Sequence, residues 1–179
     1  MAEARDELLE ALRQHSLRTG EFTLASGRTS TWYLDARQVT FRGDCVEIVG
    51  RAVVEAVAGL QFDAVGGLTL GADPVALAVA LVTGRRAFAV RKEAKGHGAG
   101  GRMAGAVRPG DRVLVVDDAV TTGGSTLAAV EAIRYYGAVV VGASCLLDRG
   151  GELGSALAKL DIPFFPVLGA PDLGFEFGS

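Results

Sequence analysis

Apolar residues along this chain recur with two alternating periods, one helical and one extended. Residues 4–15 carry Leu8, Leu9, Leu12 and His15 on one side, which predicts a short amphipathic helix with His15 on its face. Two extended pieces follow, near 21–24 and 31–35, and the turn at 25–30 between them predicts a hairpin with a long loop. A second helix starts at Asp44, whose side chain can cap it while Glu47 reaches back. Its stripe of Cys45, Ile48, Val49, Ala52, Val53, Ala56, Val57 and Leu60 repeats at i, i+3, i+4 and i+7 and faces a core. Beyond it the pattern predicts a strand at 64–66, a glycine-rich turn, and a helix from 73 to 81, with Pro74 suited to a first helical position. Strands at 86–90 and 113–116, a helix ending near Gly137 with Leu127, Val130 and Ile133 turned inward, a strand at 139–147, a helix at 151–160 and a strand at 162–167 complete the series. Strands alternating with helices imply an α/β fold, a central parallel sheet flanked by helices on both faces. There is no internal repeat, and the Gly- and Phe-rich tail 169–179 fits no element.

One junction carries chemistry. Residues 113–126 read Val-Leu-Val-Val-Asp-Asp-Ala-Val-Thr-Thr-Gly-Gly-Ser-Thr. The apolar run predicts a buried strand ending at Val116, which places Asp117 and Asp118 at a carboxyl end, where open α/β sheets hold ligands. Ala119, Val120, Thr121, Thr122, Gly123, Gly124 and Ser125 then lead into a helix. Such a turn aims backbone N–H groups and hydroxyls at an anion, helped by the helix dipole. A lone Asp-Asp would read as an ordinary capped strand–turn–helix junction. The full pattern, carboxylates beside a phosphate cradle, fits a phosphorylated ribose.

Composition narrows the partners. At 179 residues the chain predicts one domain, 1–179, with a core large enough to fold alone. Net charge is −3 with no basic run, which argues against nucleic acid. Glu3, Arg5, Asp6 and Glu7 make the N-terminus unlike a secretory signal, and no apolar run approaches the ~20 residues of a membrane span. Cys45 and Cys145 lie in apolar stretches and read as buried, reduced thiols, so a cytoplasmic protein is expected. Positive charge is carried mostly by arginine, yet two of the few lysines, Lys92 and Lys95, fall in one glycine-rich stretch together with His97. A solvated basic loop is the plain alternative. A cation set gathered for a polyanion is the sharper one.

Three segments carry a family resemblance. The 113–126 junction resembles the phosphoribosyl-diphosphate signature of the type I phosphoribosyltransferases. Arg91-Lys-Glu-Ala-Lys-Gly-His-Gly98 is similar to the mobile catalytic loop of the orotate phosphoribosyltransferase family, and Phe22-Thr-Leu-Ala-Ser-Gly-Arg-Thr-Ser-Thr-Trp-Tyr33 to its N-terminal base-binding segment. With Leu147-Asp148-Arg149 they span most of the chain in the family's order. The signature alone is shared by many base specificities; the Lys/His loop is far more specific.

The resemblance implies a type I phosphoribosyltransferase fold, with residues 1–40 forming a small hood over the base site. It implies transfer of the 5-phosphoribosyl group from 5-phosphoribosyl 1-diphosphate to orotate, giving orotidine 5′-phosphate and diphosphate in pyrimidine synthesis. Lys92, Lys95, His97, Asp117 and Asp118 would be catalytic. The cations would serve the leaving diphosphate, with Arg91 binding it. The two carboxylates would accept hydrogen bonds from the ribose hydroxyls while the sugar gains positive character. Residues 119–125 would anchor the 5-phosphate. Arg149 would bind the orotate carboxylate, a surface salt bridge with Asp148 or Glu152 being the alternative, and Thr121, Tyr33 and Leu34 would make other base contacts. Trp32 either covers the pocket or packs. Mg²⁺ is expected, held by substrate oxygens and water rather than by protein ligands. A homodimer is implied, with loop 91–104 acting on the neighbouring subunit's site. Two family lysines are absent, at Ala25 and Gly71; either Arg28 or Arg37 compensates, or this is a branch that manages without them. The alternatives are a phosphoribosyltransferase for another base, or a non-catalytic regulator that senses the donor. Such a regulator usually adds a DNA-binding segment or a basic surface.

Overall fold

A computed structural model of the chain describes residues 3–23, 29–93 and 101–178. The elements run α1 (Glu3–His15), β1 (Leu17–Thr23), β2 (Thr29–Leu34), α2 (Arg37–Thr40), α3 (Val46–Ala56), β3 (Ala64–Leu68), α4 (Ala72–Thr83), β4 (Arg86–Val90) and β5 (Met103–Gly105). They continue with β6 (Arg112–Val120), α5 (Gly124–Tyr136), β7 (Val139–Asp148), α6 (Leu153–Ala158), β8 (Phe164–Gly169) and a 3₁₀ turn, Ala170–Leu173. The main sheet has the order β5-β4-β3-β6-β7-β8. All its neighbours are parallel except β5, which returns antiparallel along β4. β1 and β2 form a separate antiparallel hairpin.

The sheet's centre follows from β6. Val113, Leu114, Val115 and Val116 are all buried, because both faces of a central parallel strand are covered. Successive side chains point to opposite faces, so Leu114 and Val116 join one apolar cluster while Val113 and Val115 join the other. The first cluster holds the inner sides of α1, α3 and α4, including Leu8, Leu12, Val49, Val53, Val75 and Val79. The second is closed by α5 and α6 through Val130, Ile133, Leu153 and Leu157. Gly50 lets α3 and α4 approach closely, since a Cβ there would strike the Ala78 carbonyl.

The structure departs from the pattern at several points. β6 continues to Val120 rather than ending at Val116, so both aspartates lie within the strand, paired along β7 from Asp117 opposite Cys145 to Val120 opposite Asp148. Backbone pairing with β7 outlasts the apolar run. Asp44 does not cap α3: the helix starts at Val46, and the Asp44 carboxylate is held by Arg42 at 2.9 and 2.6 Å. A guanidinium two residues away takes both carboxylate oxygens. The hairpin begins earlier than expected, its register shifting between Thr19 and Phe22 around Gly20, whose φ is +150°. Pro74 sits within the first turn of α4 rather than at its first position, and α6 is shorter than the expected helix. Cys45 and Cys145 are buried and unbridged. Among the described residues no helix is long and apolar enough to cross a membrane.

Candidate active site

The carboxyl ends of β3, β4 and β6 open onto a cleft of about 330 Å³, roofed by the chain that leaves the hairpin. Its lining brings together Tyr33, Leu34, Lys92, Asp117, Asp118, Ala119 and Ser125, all expected from the sequence. It adds Asp35, Arg37 and the turn Thr69-Leu70-Gly71. Alternation along β2 explains the roof: Trp32 and Leu34 turn inward, and Tyr33 remains 39% exposed beside the cleft.

The two aspartates differ. Asp117 is buried, with Oδ2 accepting from Thr126 Oγ1 at 3.1 Å and Oδ1 accepting from the Asp118 N–H at 3.1 Å. Burial, reinforced by the neighbouring Asp118 charge, pushes its carboxyl up to about 7, although the Thr126 bond pulls the other way. Asp118 is only partly buried, and its Oδ1 accepts from the Ala119 N–H at 2.8 Å. The carboxylate best placed to meet a ligand is therefore Asp118, with Asp117 behind it.

The start of α5 is the part of this surface best suited to an anion. Gly123 precedes the helix at φ +79°, a conformation that an L side chain rarely adopts, and no side chain caps the helix. The first-turn N–H groups lie among the exposed Thr121, Thr122, Gly124 and Ser125, an arrangement suited to phosphate. Val120 is buried, and its carbonyl accepts the Arg149 N–H at 2.7 Å. A Cβ on Gly150 would collide with the Thr121 carbonyl, so the turn after β7 presses directly on this loop. The Asp148 carboxylate ties that turn by accepting from the Gly150 and Gly151 N–H groups, at 3.1 and 2.9 Å.

Arg149 projects from the same turn. Its guanidinium carbon lies 4.0 Å from the Trp32 ring centroid, and no ion pair with Asp148 or Glu152 forms. Desolvation lowers its pKa from the usual arginine value, opposed by Tyr33. Arg91 is not in the cleft lining: its guanidinium reaches the Met103 carbonyl at 3.5 Å, and its backbone is bracketed by Arg102. Lys95 and His97 lie outside the described residues, as do Ala25 and Arg28.

Two partners at the cleft were not singled out from the sequence. Asp35 Oδ1 accepts from Arg37 Nε at 2.7 Å and from the Arg37 N–H at 3.2 Å, holding that cation in place. This bond lowers the Asp35 pKa. The spacing Asp-x-Arg soon after two aromatics was the available signal. Thr69 Oγ1 donates to Asp73 Oδ2 at 2.7 Å, fixing the turn before α4; only the structure brings Thr69 to the cleft.

Among the described residues no cluster of three or more His, Cys, Asp or Glu side chains is placed to hold a metal ion. The Asp118 carboxylate at the cleft wall suits an Mg²⁺ ion that takes most of its oxygens from phosphates and water.

Residues 47–160 match the family described as phosphoribosyl transferase domain. An orotate phosphoribosyltransferase of Corynebacterium glutamicum is 45% identical over 177 residues, covering 98% of this chain and 96% of its own. One from Streptomyces coelicolor is 42% identical, covering 98% and 100%. The solved orotate phosphoribosyltransferase of Mycobacterium tuberculosis in complex with 5-phospho-α-D-ribosyl 1-diphosphate has a TM-score of 0.83 and 39% identity, covering 96% of this chain and 99% of that one.

Proposed function

The chain belongs to the orotate phosphoribosyltransferase family, and from that premise we propose how its own residues divide the work. The protein transfers the 5-phosphoribosyl group from 5-phosphoribosyl 1-diphosphate to orotate, a step of pyrimidine synthesis. The bond between C1 and the diphosphate oxygen breaks, a ring nitrogen of orotate bonds to C1, and the proton of that nitrogen is released. Positive charge develops on the sugar and negative charge on the leaving group.

Residues 121–125 at the head of α5 hold the 5-phosphate. Asp118 accepts from the ribose hydroxyls and faces the developing positive charge, where a fixed carboxylate in a shielded cleft acts most strongly. Asp117 orients Asp118 by accepting its backbone N–H. Lys92, with Lys95 and His97 of the loop beyond it, offsets the diphosphate charge, and Arg91 anchors the base of that loop. Arg149 receives the orotate carboxylate through its paired N–H donors, while Tyr33, Leu34 and Thr121 border the base. Mg²⁺, when bound, would supply charge neutralisation to the diphosphate, held mainly by substrate oxygens and water, and Asp118 would be the cleft-wall carboxylate available to it. Residues 1–40 act as a hood that keeps water from C1.

We read the active form as a homodimer in which loop 91–104 reaches the partner's site. Leu77 and Leu81, four residues apart on one side of α4, are 62% and 68% exposed. Such an apolar patch supports a second copy of the chain as its cover. Buried reduced thiols support a cytoplasmic setting.

The observation that carries the assignment is the meeting of Asp118, Ser125 and the Tyr33–Leu34 segment around one cleft. The test is to incubate the protein with Mg²⁺, the phosphoribosyl donor and a panel of bases. Orotate alone should be consumed, with equimolar diphosphate released. Preferential consumption of another base would reassign the substrate, and donor binding without turnover would indicate a sensor.

A further inference from the structure

The tail that fits no sequence pattern ends against the base-binding arginine. After the 3₁₀ turn, Gly174 takes a left-handed conformation at φ +89° and turns the chain back. Phe175 then stacks on Trp32, with ring centroids 4.5 Å apart and planes 5° from parallel. Trp32 is fully buried, and its ring also carries the Arg149 guanidinium at 4.0 Å. Three residues beyond Phe175 the Gly178 N–H donates to the Arg149 carbonyl at 2.7 Å. The tail is itself fastened: Asp172 pairs with Arg5 of α1 and accepts from the Gly169 N–H at 2.8 Å.

We propose that residues 174–178 are a positioning device for base recognition, Phe175 fixing the Trp32 platform on which Arg149 is held. The inference rests on the reading that Arg149 meets the carboxylate of the base. Arg149 makes no ion pair among the described residues, and its Nε is buried without a hydrogen-bond partner. Stacking therefore does the work that hydrogen bonds usually do in orienting an arginine. A guanidinium held over a ring by cation–π attraction keeps its N–H donors for a planar carboxylate. Holding it before the ligand arrives removes part of the ordering cost of binding. Phe175 and Trp32 are positioning residues, because both act through Arg149.

The test compares wild type, Phe175→Ala and Phe175→Tyr in steady-state kinetics with Mg²⁺, donor and orotate. Phe175→Ala should raise the KM for orotate about tenfold, the scale of a weakened cation–π contact, with the donor KM unchanged. Phe175→Tyr, which keeps the flat ring, should restore it. In an Arg149→Ala background Phe175→Ala should cost nothing further, because the residue acts only through that arginine. Trp32 is the single tryptophan, so its emission reports the platform directly and should shift in Phe175→Ala. If Phe175→Ala does not fold, Phe175→Leu, which keeps apolar bulk without the flat face, should show the same KM split. Equal rises in both KM values, or additive losses in the double variant, would overturn the positioning role. Wild type that does not consume orotate would overturn the functional reading, and this role with it.

Discussion

The Asp118 carboxylate lies against the backbone of Gly71. A Cβ on Gly71 would meet Asp118 Oδ1 at 2.5 Å and its Oδ2 at 3.0 Å. The turn after β3 and the end of β6 thus form one surface, and a side chain at 71 would require the Asp118 carboxylate to shift.

Gly71→Ala should therefore displace Asp118 and raise the KM for the phosphoribosyl donor about tenfold or more, since a carboxylate moved by about an ångström loses its aligned hydrogen bonds. Gly71→Lys, which restores the lysine expected from the family resemblance, should be no better, because its Cβ meets the same carboxylate. Donor KM values at saturating orotate check this, and an unchanged value in Gly71→Ala would refute it.

Arg37 stands at the same cleft, held by Asp35, whose bond raises its pKa with a smaller contribution from the Asp118 charge. It is placed to supply the positive charge that position 71 does not. Arg37→Ala should weaken product inhibition by diphosphate several-fold, an effect of the size expected for one lost charge-assisted contact. Asp35→Asn, which frees the cation without removing it, should have a smaller effect. Inhibition constants for diphosphate give the comparison, and equal constants in wild type and Arg37→Ala would remove Arg37 from the site.

Asp117 gives stability a pH dependence of definite sign. Its carboxyl titrates at about 7 in the folded chain, mainly through burial, against an ordinary value of 3.8. Between these values the folded state keeps a proton that the unfolded state has released. Unfolding free energy contributed by this group thus falls as pH rises from about 4 to 7. Asp117→Asn cannot lose that proton, so its stability relative to wild type should increase from about pH 4 to about pH 7. Urea unfolding at several pH values measures this, and parallel profiles would show that Asp117 is not a buried titrating group.

Lys95→Ala should abolish most orotate-dependent diphosphate release while leaving donor binding nearly intact, because the role proposed for Lys95 is toward charge that appears only as the bond breaks. Calorimetric donor binding beside a diphosphate assay separates the two. Undiminished turnover would remove the loop from the mechanism.

Much of this could be read from the residues alone. The β-branched run at 113–116 specified a central strand because burial on both faces leaves a continuous apolar signal, and the Thr/Gly loop specified the helix start beyond it. The end of that strand was not legible, because backbone pairing with β7 carries it through polar positions. Asp117 and Asp118 are identical in type, and only burial distinguishes their roles. Asp44 leaves its helix uncapped because Arg42, a local competitor, has the stronger hold on the carboxylate. Phe175 reaches Trp32 through tertiary packing, which leaves no periodicity to read, and the grip of Asp35 on Arg37 is a local contact that periodicity does not report either.

That the cleft between Asp118 and the head of α5 holds an activated ribose is tested most directly by a crystal structure with 5-phosphoribosyl 1-diphosphate and Mg²⁺. The 5-phosphate should sit on the N–H groups of residues 121–125 and the ribose hydroxyls at Asp118. A donor bound elsewhere, or with its 5-phosphate on Lys92 instead of the α5 turn, would contradict it.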